Sequence, residues 1–356
     1  MNVDPANRQV RGRGANINPP NRFEALHYET EDWCEPDGEG GPVRTQFFRD
    51  DSQSVISYNN SPDLGFDTSL NPYRGCEHGC AYCYARPTHE YLGFSAGIDF
   101  ESRILVKQNA AELLAAELAR RSWVPQLLVL SGVTDPYQPI ERKLEITRTC
   151  LRVLADFRNP VAIVTKNHLV TRDSDLLAEL AAWNAARVTL SITTLDSSLA
   201  RILEPRASSP SHRLEAVAKL RDARIPVGVN IAPIIPGIND HEVPRIAEAA
   251  AKAGAESAAY TIIRLPLTVA PVFVAWLERH FPERKEKILN AIRSMRQGRL
   301  NTPDFGARMR GDGPLAEQIR QLFRVSCNRA GLGEFRSELS TTAFRRILPD
   351  QMELAL

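Results

Sequence analysis

The sequence predicts an α/β protein with a parallel β-sheet. Short apolar segments that suit buried strands alternate with segments whose apolar residues recur at helical spacing, which is typical of successive βαβ units. The alternation gives six strand and helix repeats. They suit a partial (β/α)6 barrel of the TIM type, although a doubly wound open sheet would give nearly the same pattern. With 356 residues, 43% hydrophobic and 24% charged, the chain is long enough for one large domain with additional segments.

The predicted strands cover residues 66–70, 127–130, 161–164, 188–192, 227–231 and 259–263. A first helix is expected after Asn109, whose side chain can cap the first turn while Glu112 reaches back. A second helix begins at about Glu141, and Cys150 borders its apolar face. That face consists of Leu144, Thr147, Leu151 and Leu154. Further helices are predicted at 173–185, 211–223 and 241–253.

Both ends of the chain differ from this core. Residues 1–62 are rich in Pro, Gly, Asn and Arg, which predicts an extended or partly disordered N-terminal arm. Residues 63–265 form the predicted barrel. Residues 266–356 form a mainly helical C-terminal extension that can cover the open side of a partial barrel, and its helices are predicted at 270–280, 283–296 and 314–328.

Charge gives little indication of a partner. The net charge is +1, so there is no bulk electrostatic case for nucleic acid. Four arginines of the arm could contact a phosphate backbone or tie the arm to an acidic surface of the protein itself, and we favour the second interpretation. They are Arg8, Arg11, Arg13 and Arg22.

The most informative motif is a group of three cysteines, Cys76, Cys80 and Cys83, in the run NPYRGCEHGCAYCY at 71–84. Three thiolates on a short loop can hold three irons of a [4Fe-4S] cube, because soft sulfur ligands suit iron–sulfur clusters. The fourth iron then has no protein ligand and can bind a substrate or a second cofactor. The spacing therefore predicts chemistry at iron.

A structural zinc loop is the main alternative, with His78 or His89 as the fourth ligand. Disulfides are less favoured, because Met1 is followed by polar residues rather than an apolar signal-peptide core, and we expect a reducing cytoplasm. No run approaches the roughly 20 apolar residues of a membrane helix, so we expect a soluble protein. The remaining cysteines are predicted to be small buried residues or bystanders, and they are Cys34, Cys150 and Cys327.

Polar residues that follow the predicted strands are the next candidates, because the carboxyl ends of parallel barrel strands form the active site. After the second strand, Thr134 and Asp135 can accept hydrogen bonds from an ammonium group. Lys166 follows the third strand and can bind a carboxylate, and Ser191 lies at the end of the fourth. A solvated lysine and a helix-capping serine are the structural alternatives.

The cysteine run resembles the CxxxCxxC loop of the radical S-adenosylmethionine (SAM, AdoMet) enzymes, including the aromatic Tyr82 before the third cysteine. The resemblance implies a partial (β/α)6 barrel, a [4Fe-4S] cluster and AdoMet bound at the open iron. It also implies reductive cleavage of AdoMet to a 5'-deoxyadenosyl radical, and a one-electron donor such as flavodoxin or ferredoxin.

The order of cluster loop, Thr-Asp-Pro-Tyr, Lys and Ser resembles the spore photoproduct lyase branch of that superfamily. Within the branch, the chain is most similar to uncharacterised relatives with an Arg-Gly-Arg-Gly-Ala arm, here at 11–15. This resemblance implies that Tyr82, Tyr84, Lys166 and Ser191 contact AdoMet. Together with Thr134 and Asp135, they form the predicted cofactor-binding set.

One departure concerns the hydrogen-atom donor. The lyases use a cysteine at the end of the second strand, where this chain has Ser131, Gly132 and Val133. Cys327 or Tyr137 is therefore a candidate donor. Glu204 and Arg206, after the fourth strand, bind AdoMet or substrate in one interpretation and form helix-entry salt bridges in the other.

The predicted function is that of a radical SAM enzyme that abstracts hydrogen from an unidentified substrate, with nucleic acid as one candidate. The alternative is a non-catalytic iron–sulfur or zinc module that binds a partner or senses redox state. Such a module needs neither an open iron nor the polar residues at the strand ends.

Overall fold

The computed structural model describes residues 12–23, 43–333 and 338–347. The ten strands of the described part are β1 (Gln46–Arg49), β2 (Ile56–Tyr58), β3 (Thr68–Leu70), β4 (Tyr73–Arg74), β5 (Arg103–Val106), β6 (Leu128–Leu130), β7 (Val161–Thr165), β8 (Ala186–Ser191), β9 (Val227–Ile234) and β10 (Ser257–Ile262). All six predicted strands are present, as β3 and β6 to β10.

The main sheet has the order β10-β9-β8-β7-β6-β3-β2. Six of its strands run parallel, and β2 joins the edge antiparallel to β3. The sheet curls into an open barrel with β2 at one edge and β10 at the other, which confirms the predicted α/β partial barrel. Residues of alternating strand positions pack outward against the helices in one continuous apolar core.

The helices of the described part are α1 (Ile98–Ser102), α2 (Ala110–Ala119), α3 (Glu141–Leu144), α4 (Ile146–Phe157), α5 (Ser174–Ala182), α6 (Ser197–Leu203), α7 (Pro210–Asp222), α8 (Val243–Ala253), α9 (Val269–His280), α10 (Lys285–Ser294), α11 (Ala307–Arg310) and α12 (Gly313–Ala330). Short 3₁₀ turns add Arg86–Leu92, His168–Asp173, Asp240–Glu242 and Pro282–Arg284.

Two details of the predicted helices are wrong. The Asn109 side chain precedes α2 but makes no capping hydrogen bond. The helix expected from Glu141 is broken at Glu145, which adopts the left-handed conformation with φ 52°. The Glu141 carboxylate accepts instead from the amides of Thr147 (3.0 Å) and Arg148 (3.4 Å), so it satisfies the free N–H groups that begin α4. As a consequence Leu144 is exposed.

The described part of the N-terminal arm is attached to the barrel. β1 pairs with β5 in a second sheet of order β1-β5-β4, and β2 pairs with β3. Residues 1–11 and 24–42 of the predicted arm lie outside the described residues, as does Cys34. Cys150 and Cys327 are buried in α4 and α12, as the sequence predicts.

The C-terminal extension covers the open side of the barrel. Gly333 pairs with Ser257 at the free edge of β10. Near α11, the Gly306 amide donates to Asp63 (2.6 Å), and Arg308 forms an ion pair with the same carboxylate (2.5 Å). Because Asp63 lies between β2 and β3, this segment spans the gap between the two edges. The predicted extension reaches residue 356, but 334–337 and 348–356 lie outside the described residues. No helix in the described ranges is long and apolar enough to span a bilayer.

Candidate active site

The three cysteines of the motif lie on one loop that follows β3 and β4. Their thiols are free, Cys76 and Cys80 are buried, and Cys83 is partly buried. The loop is fixed at its start by a hydrogen bond from the Cys76 amide to Phe100 O (2.9 Å) and turns at Gly79, whose φ is 64°. Burial raises the pKa of all three thiols and so disfavours the thiolates, which binding of a metal cofactor would stabilise.

The donor set fits an iron–sulfur cube better than a zinc ion. Zinc gathers all of its ligands around one point, with sulfur at about 2.3 Å, whereas a cube takes one thiolate on each iron. Within the described ranges, no three His, Cys, Asp or Glu side chains lie close enough together to share one metal ion. The two histidines proposed as a fourth ligand lie in other surroundings. His78 contacts Asp135 (3.3 Å) and Asn167 (3.3 Å), and His89 packs between Phe94 and Phe100.

A buried ion pair supports the loop from behind. The Arg86 guanidinium contacts the Glu101 carboxylate and also donates to the carbonyl oxygen of Cys80 at 2.7 and 3.1 Å. Glu101 in turn accepts from the amides of Gly14 (3.0 Å) and Ala15 (2.7 Å) of the arm. A Cβ on Gly14 would lie 1.7 Å from the carbonyl oxygen of Gly79. The arm therefore packs directly against the cysteine loop.

The arginines of the arm contact the protein itself where the structure describes them. Arg13 donates to the carbonyl oxygens of Glu101 and Val43 and to the Thr45 hydroxyl. Arg22 forms an ion pair with Glu90 at 2.8 Å. Arg8 and Arg11 lie outside the described residues.

Asp135 connects the cysteine loop to two strand ends. Its carboxylate accepts from the Thr165 hydroxyl (2.7 Å), the Lys166 amide (2.8 Å) and the Tyr137 amide (2.9 Å), and it also contacts His78. Burial favours a raised pKa for Asp135, but His78 and these donors outweigh it, so the pKa is lowered and the group is ionised.

Thr134 has structural partners as well. Its hydroxyl donates to Tyr73 O (2.8 Å), and its amide donates to the Asn71 side chain (3.0 Å). The Thr134 and Asp135 side chains thus already hold the second strand exit against the cysteine loop.

A second polar network surrounds the Tyr82 hydroxyl. This hydroxyl donates to the buried carboxylate of Glu204, which also accepts from Thr193 (2.6 Å) and pairs with Arg213. Lys166 approaches the same carboxylate (Nζ to Oε1 3.8 Å) and lies 5.9 Å from the centre of the Tyr82 ring. Burial opposes ionisation of Glu204, but the two cations and the hydroxyls lower its pKa to about 2.

Arg206 points to the loop rather than to this network. Its guanidinium contacts Glu77 at 3.3 Å. Glu204 and Arg206 therefore both make structural ion pairs, and each of those pairs contributes to the surroundings of the cysteine loop.

Tyr84 lies at the mouth of the barrel and is half exposed. Its hydroxyl donates to the carbonyl oxygen of Gly132, at the exit of β6, and the Arg264 guanidinium lies 5.2 Å from the centre of its ring. Tyr84 therefore spans from the third cysteine to the strand exit where the lyase branch carries its cysteine.

Sheet register places three strand ends at one level. Thr165 pairs with Leu190, so the next residues, Lys166 and Ser191, lie side by side at the ends of β7 and β8. Ser191 pairs in turn with Asn230 of β9. The three polar residues therefore lie next to one another on the same face of the sheet. The side-chain oxygen of Asn230 is buried without a hydrogen-bond partner in the described part of the chain. The sequence marks Asn230 only as a polar residue at the end of an apolar strand, and it was not in the predicted set.

The side chains of both candidate hydrogen-atom donors are buried among other residues. The Tyr137 hydroxyl donates to Asp173 (3.1 Å), the residue before α5, and both side chains are buried. Cys327 is buried in α12, which packs against α8. The structure therefore does not support the hypothesis that either one donates to a radical inside the barrel.

A model of the radical SAM superfamily matches residues 70–250, which include the cysteine loop and four of the six parallel strands, β6 to β9. The chain belongs to the radical SAM superfamily. The family predicted from the cysteine loop is thereby confirmed.

Relatives of this superfamily member occur in bacteria, archaea and phages. An uncharacterised protein of Mycobacterium tuberculosis is 36% identical over 226 residues, which are 63% of this chain and 66% of that relative. An uncharacterised protein of Methanocaldococcus jannaschii is 29% identical over 221 residues, 62% of this chain and 79% of that relative. A protein of Pseudomonas phage M6 named radical SAM Nalpha-GlyT isomerase is 25% identical over 65% of this chain and 47% of its own.

Solved structures of spore photoproduct lyase share the fold. The complex with dinucleoside spore photoproduct has a TM-score of 0.57 and 16% identity, and a variant with bound AdoMet has 0.56 and 17%. Each comparison covers 80% of both chains. The predicted resemblance to this branch is thus confirmed, and at this level of identity the likeness concerns the fold.

Proposed function

We propose that this protein is a radical SAM enzyme. Cys76, Cys80 and Cys83 bind a [4Fe-4S] cluster, AdoMet binds at the open iron, and a one-electron donor such as flavodoxin or ferredoxin reduces the cluster. When bound, the two cofactors supply a carbon radical that abstracts hydrogen from a substrate in the barrel.

One juxtaposition carries the proposal. Three free thiols lie on a single loop, and the adjoining strand ends bring Lys166, Ser191 and Asn230 to one level of the same barrel face. Asn230 has a buried oxygen without a partner among the described residues, which is costly unless a ligand supplies a donor. A non-catalytic iron–sulfur or zinc module, whose metal only stabilises a loop, does not need these polar side chains.

The residues of the mouth divide into ligand-binding and positioning roles. Lys166 supplies a cation for the methionyl carboxylate, and Ser191 and Asn230 supply hydrogen bonds to hydroxyl or carboxylate groups of AdoMet. Tyr82 and Tyr84 border the cofactor. Asp135 is a positioning residue, because its oxygens already accept from Thr165 and from the Lys166 amide.

Anaerobic reconstitution tests the proposal. We expect about four irons per chain, an electron paramagnetic resonance signal of the reduced cluster that changes on addition of AdoMet, and formation of 5'-deoxyadenosine. Cys80→Ala is expected to lose the iron, because two thiolates do not hold the cube. The matched control Cys150→Ala, in α4, is expected to retain it. One zinc and no iron in the wild-type protein would establish the non-catalytic alternative instead.

A further inference from the structure

Arg264 is a partly buried cation at the barrel mouth that pairs with no described carboxylate. It follows β10 by two residues. Its Nη1 donates only to the Met309 sulfur (3.2 Å), a weak acceptor, and its Nε is buried without a hydrogen-bond partner in the described part of the chain. Burial lowers the pKa of Arg264, but an arginine remains charged at neutral pH.

The other arginines near this site have partners that Arg264 lacks. Arg308 pairs with Asp63, which also accepts from the Gly306 amide, so that carboxylate is occupied, although it lies near enough to favour the charge on Arg264. Arg296 donates to carbonyl oxygens, among them that of Ile263 (2.5 Å). A guanidinium that loses water without gaining a carboxylate or carbonyl oxygen destabilises the fold. Such a group is suited to a ligand that completes its hydrogen bonds.

The position of Arg264 connects it to the active site. Its guanidinium lies over the ring of Tyr84, which follows the third cysteine directly. β10 is separated from β7, and therefore from Lys166, by two strands of the sheet. Lys166 and Arg264 therefore lie at different places of the mouth, and of these two cations Lys166 is the one that approaches Glu204.

We propose that Arg264 binds an oxyanion of the substrate, a phosphate or a carboxylate, at the edge of the mouth beside Tyr84. This inference rests on the proposed function, because it takes the mouth as the place where the substrate lies. The forked donors of a guanidinium match the two oxygens of either anion, and Tyr84 offers a flat, half-exposed surface next to them.

The test measures anion binding by the full-length, cluster-loaded protein without AdoMet. Inorganic phosphate and acetate are titrated separately, at constant ionic strength with chloride, and the melting temperature is followed. We expect one of the two anions to raise the melting temperature, and which one does so distinguishes a phosphate from a carboxylate substrate. In Arg264→Gln the apparent dissociation constant is expected to rise about tenfold or more, because a charge-assisted hydrogen bond is lost.

Arg299→Gln is the matched control, since Arg299 is exposed in the same C-terminal segment. It is expected to respond like the wild type. Arg264→Lys keeps the charge but lacks the forked donors of the guanidinium, and it is expected to give an intermediate response. This variant replaces Arg264→Gln in the test if Arg264→Gln does not fold. An equal response of Arg264→Gln and wild type, or no wild-type response to either anion, would overturn the inference. Normal anion binding without AdoMet cleavage would count against the proposed function alone.

Discussion

Arg86 and Glu101 form an ion pair that is completely buried behind the cysteine loop. The guanidinium holds the carbonyl oxygen of Cys80, and the carboxylate holds the amides of Gly14 and Ala15. One pair therefore joins Cys80, a proposed cluster ligand, to the N-terminal arm, and Gly14 and Ala15 of that arm acquire a structural role next to the cysteine loop.

Neutralising the pair should destabilise the fold. In Glu101→Gln the Arg86 charge stays buried without its counter-charge, and we expect a loss of about 3–5 kcal/mol in the free energy of unfolding together with a lower iron content. Denaturant titration and iron analysis measure the two effects. Glu117→Gln, which breaks the partly exposed pair with Arg120, is expected to cost less than about 1 kcal/mol. Equal losses of unfolding free energy in the two variants would show that the buried Arg86–Glu101 pair stabilises the fold no more than a partly exposed pair does.

The contact between the arm and the loop can be tested by adding a single methyl group. In Gly14→Ala the new Cβ would lie 1.7 Å from the Gly79 carbonyl oxygen, so the arm or the loop must move. We expect about 1–3 kcal/mol of destabilisation and reduced iron per chain. Gly65→Ala is the control, because a Cβ there meets no atom within 4 Å. If Gly14→Ala retained full iron content, the arm would not support the loop.

The sequence predicted the parts of this molecule that depend on local patterns. All six parallel strands follow from short apolar segments, and the proposed cluster loop follows from the spacing of Cys76, Cys80 and Cys83. The break at Glu145 was missed, because a capping carboxylate four residues earlier in the chain replaces a regular helical turn there.

The long-range part of the site could not be predicted. Glu101 meets Gly14 across 87 residues, and Tyr82 meets Glu204 across 122. Neither pair has a signature in the local sequence, since both depend on how the barrel closes around the loop. Arg264 had a weak signal, as the first charged residue after the last strand, but only the structure shows that it lacks a carboxylate partner among the described residues.

His89 should make the protein sensitive to mild acid. Burial between two aromatic rings lowers its pKa to about 4, whereas a histidine in the unfolded chain has a pKa of about 6.5. Between these values the unfolded state binds the extra proton, so stability falls as the pH falls. From pH 7 to pH 5 the linked loss is about 2 kcal/mol.

In His89→Phe this contribution is removed, and we expect its free energy of unfolding to fall less than that of the wild type over the same pH range. Urea titrations at pH 7 and pH 5 measure the difference. His241→Gln changes an exposed histidine and should keep the wild-type pH dependence. If the free energy of unfolding of His89→Phe fell as much between pH 7 and pH 5 as that of the wild type, His89 would not be the group responsible for the acid sensitivity.

Substitution of Lys166 tests whether this lysine binds the cofactor or has only a structural role. Its ammonium lies 3.8 Å from Glu204, but that carboxylate keeps Arg213, Thr193 and Tyr82 as partners when the lysine is removed. Lys166→Met should therefore fold and retain its iron. Because it would lose the charged hydrogen bond that we propose to the AdoMet carboxylate, its dissociation constant for AdoMet is expected to rise about tenfold to a hundredfold. Lys143→Met, an exposed lysine on α3, is expected to bind AdoMet like the wild type. Equilibrium binding of AdoMet under anaerobic conditions measures the change, and an unchanged affinity in Lys166→Met would assign this lysine to the Glu204 network alone.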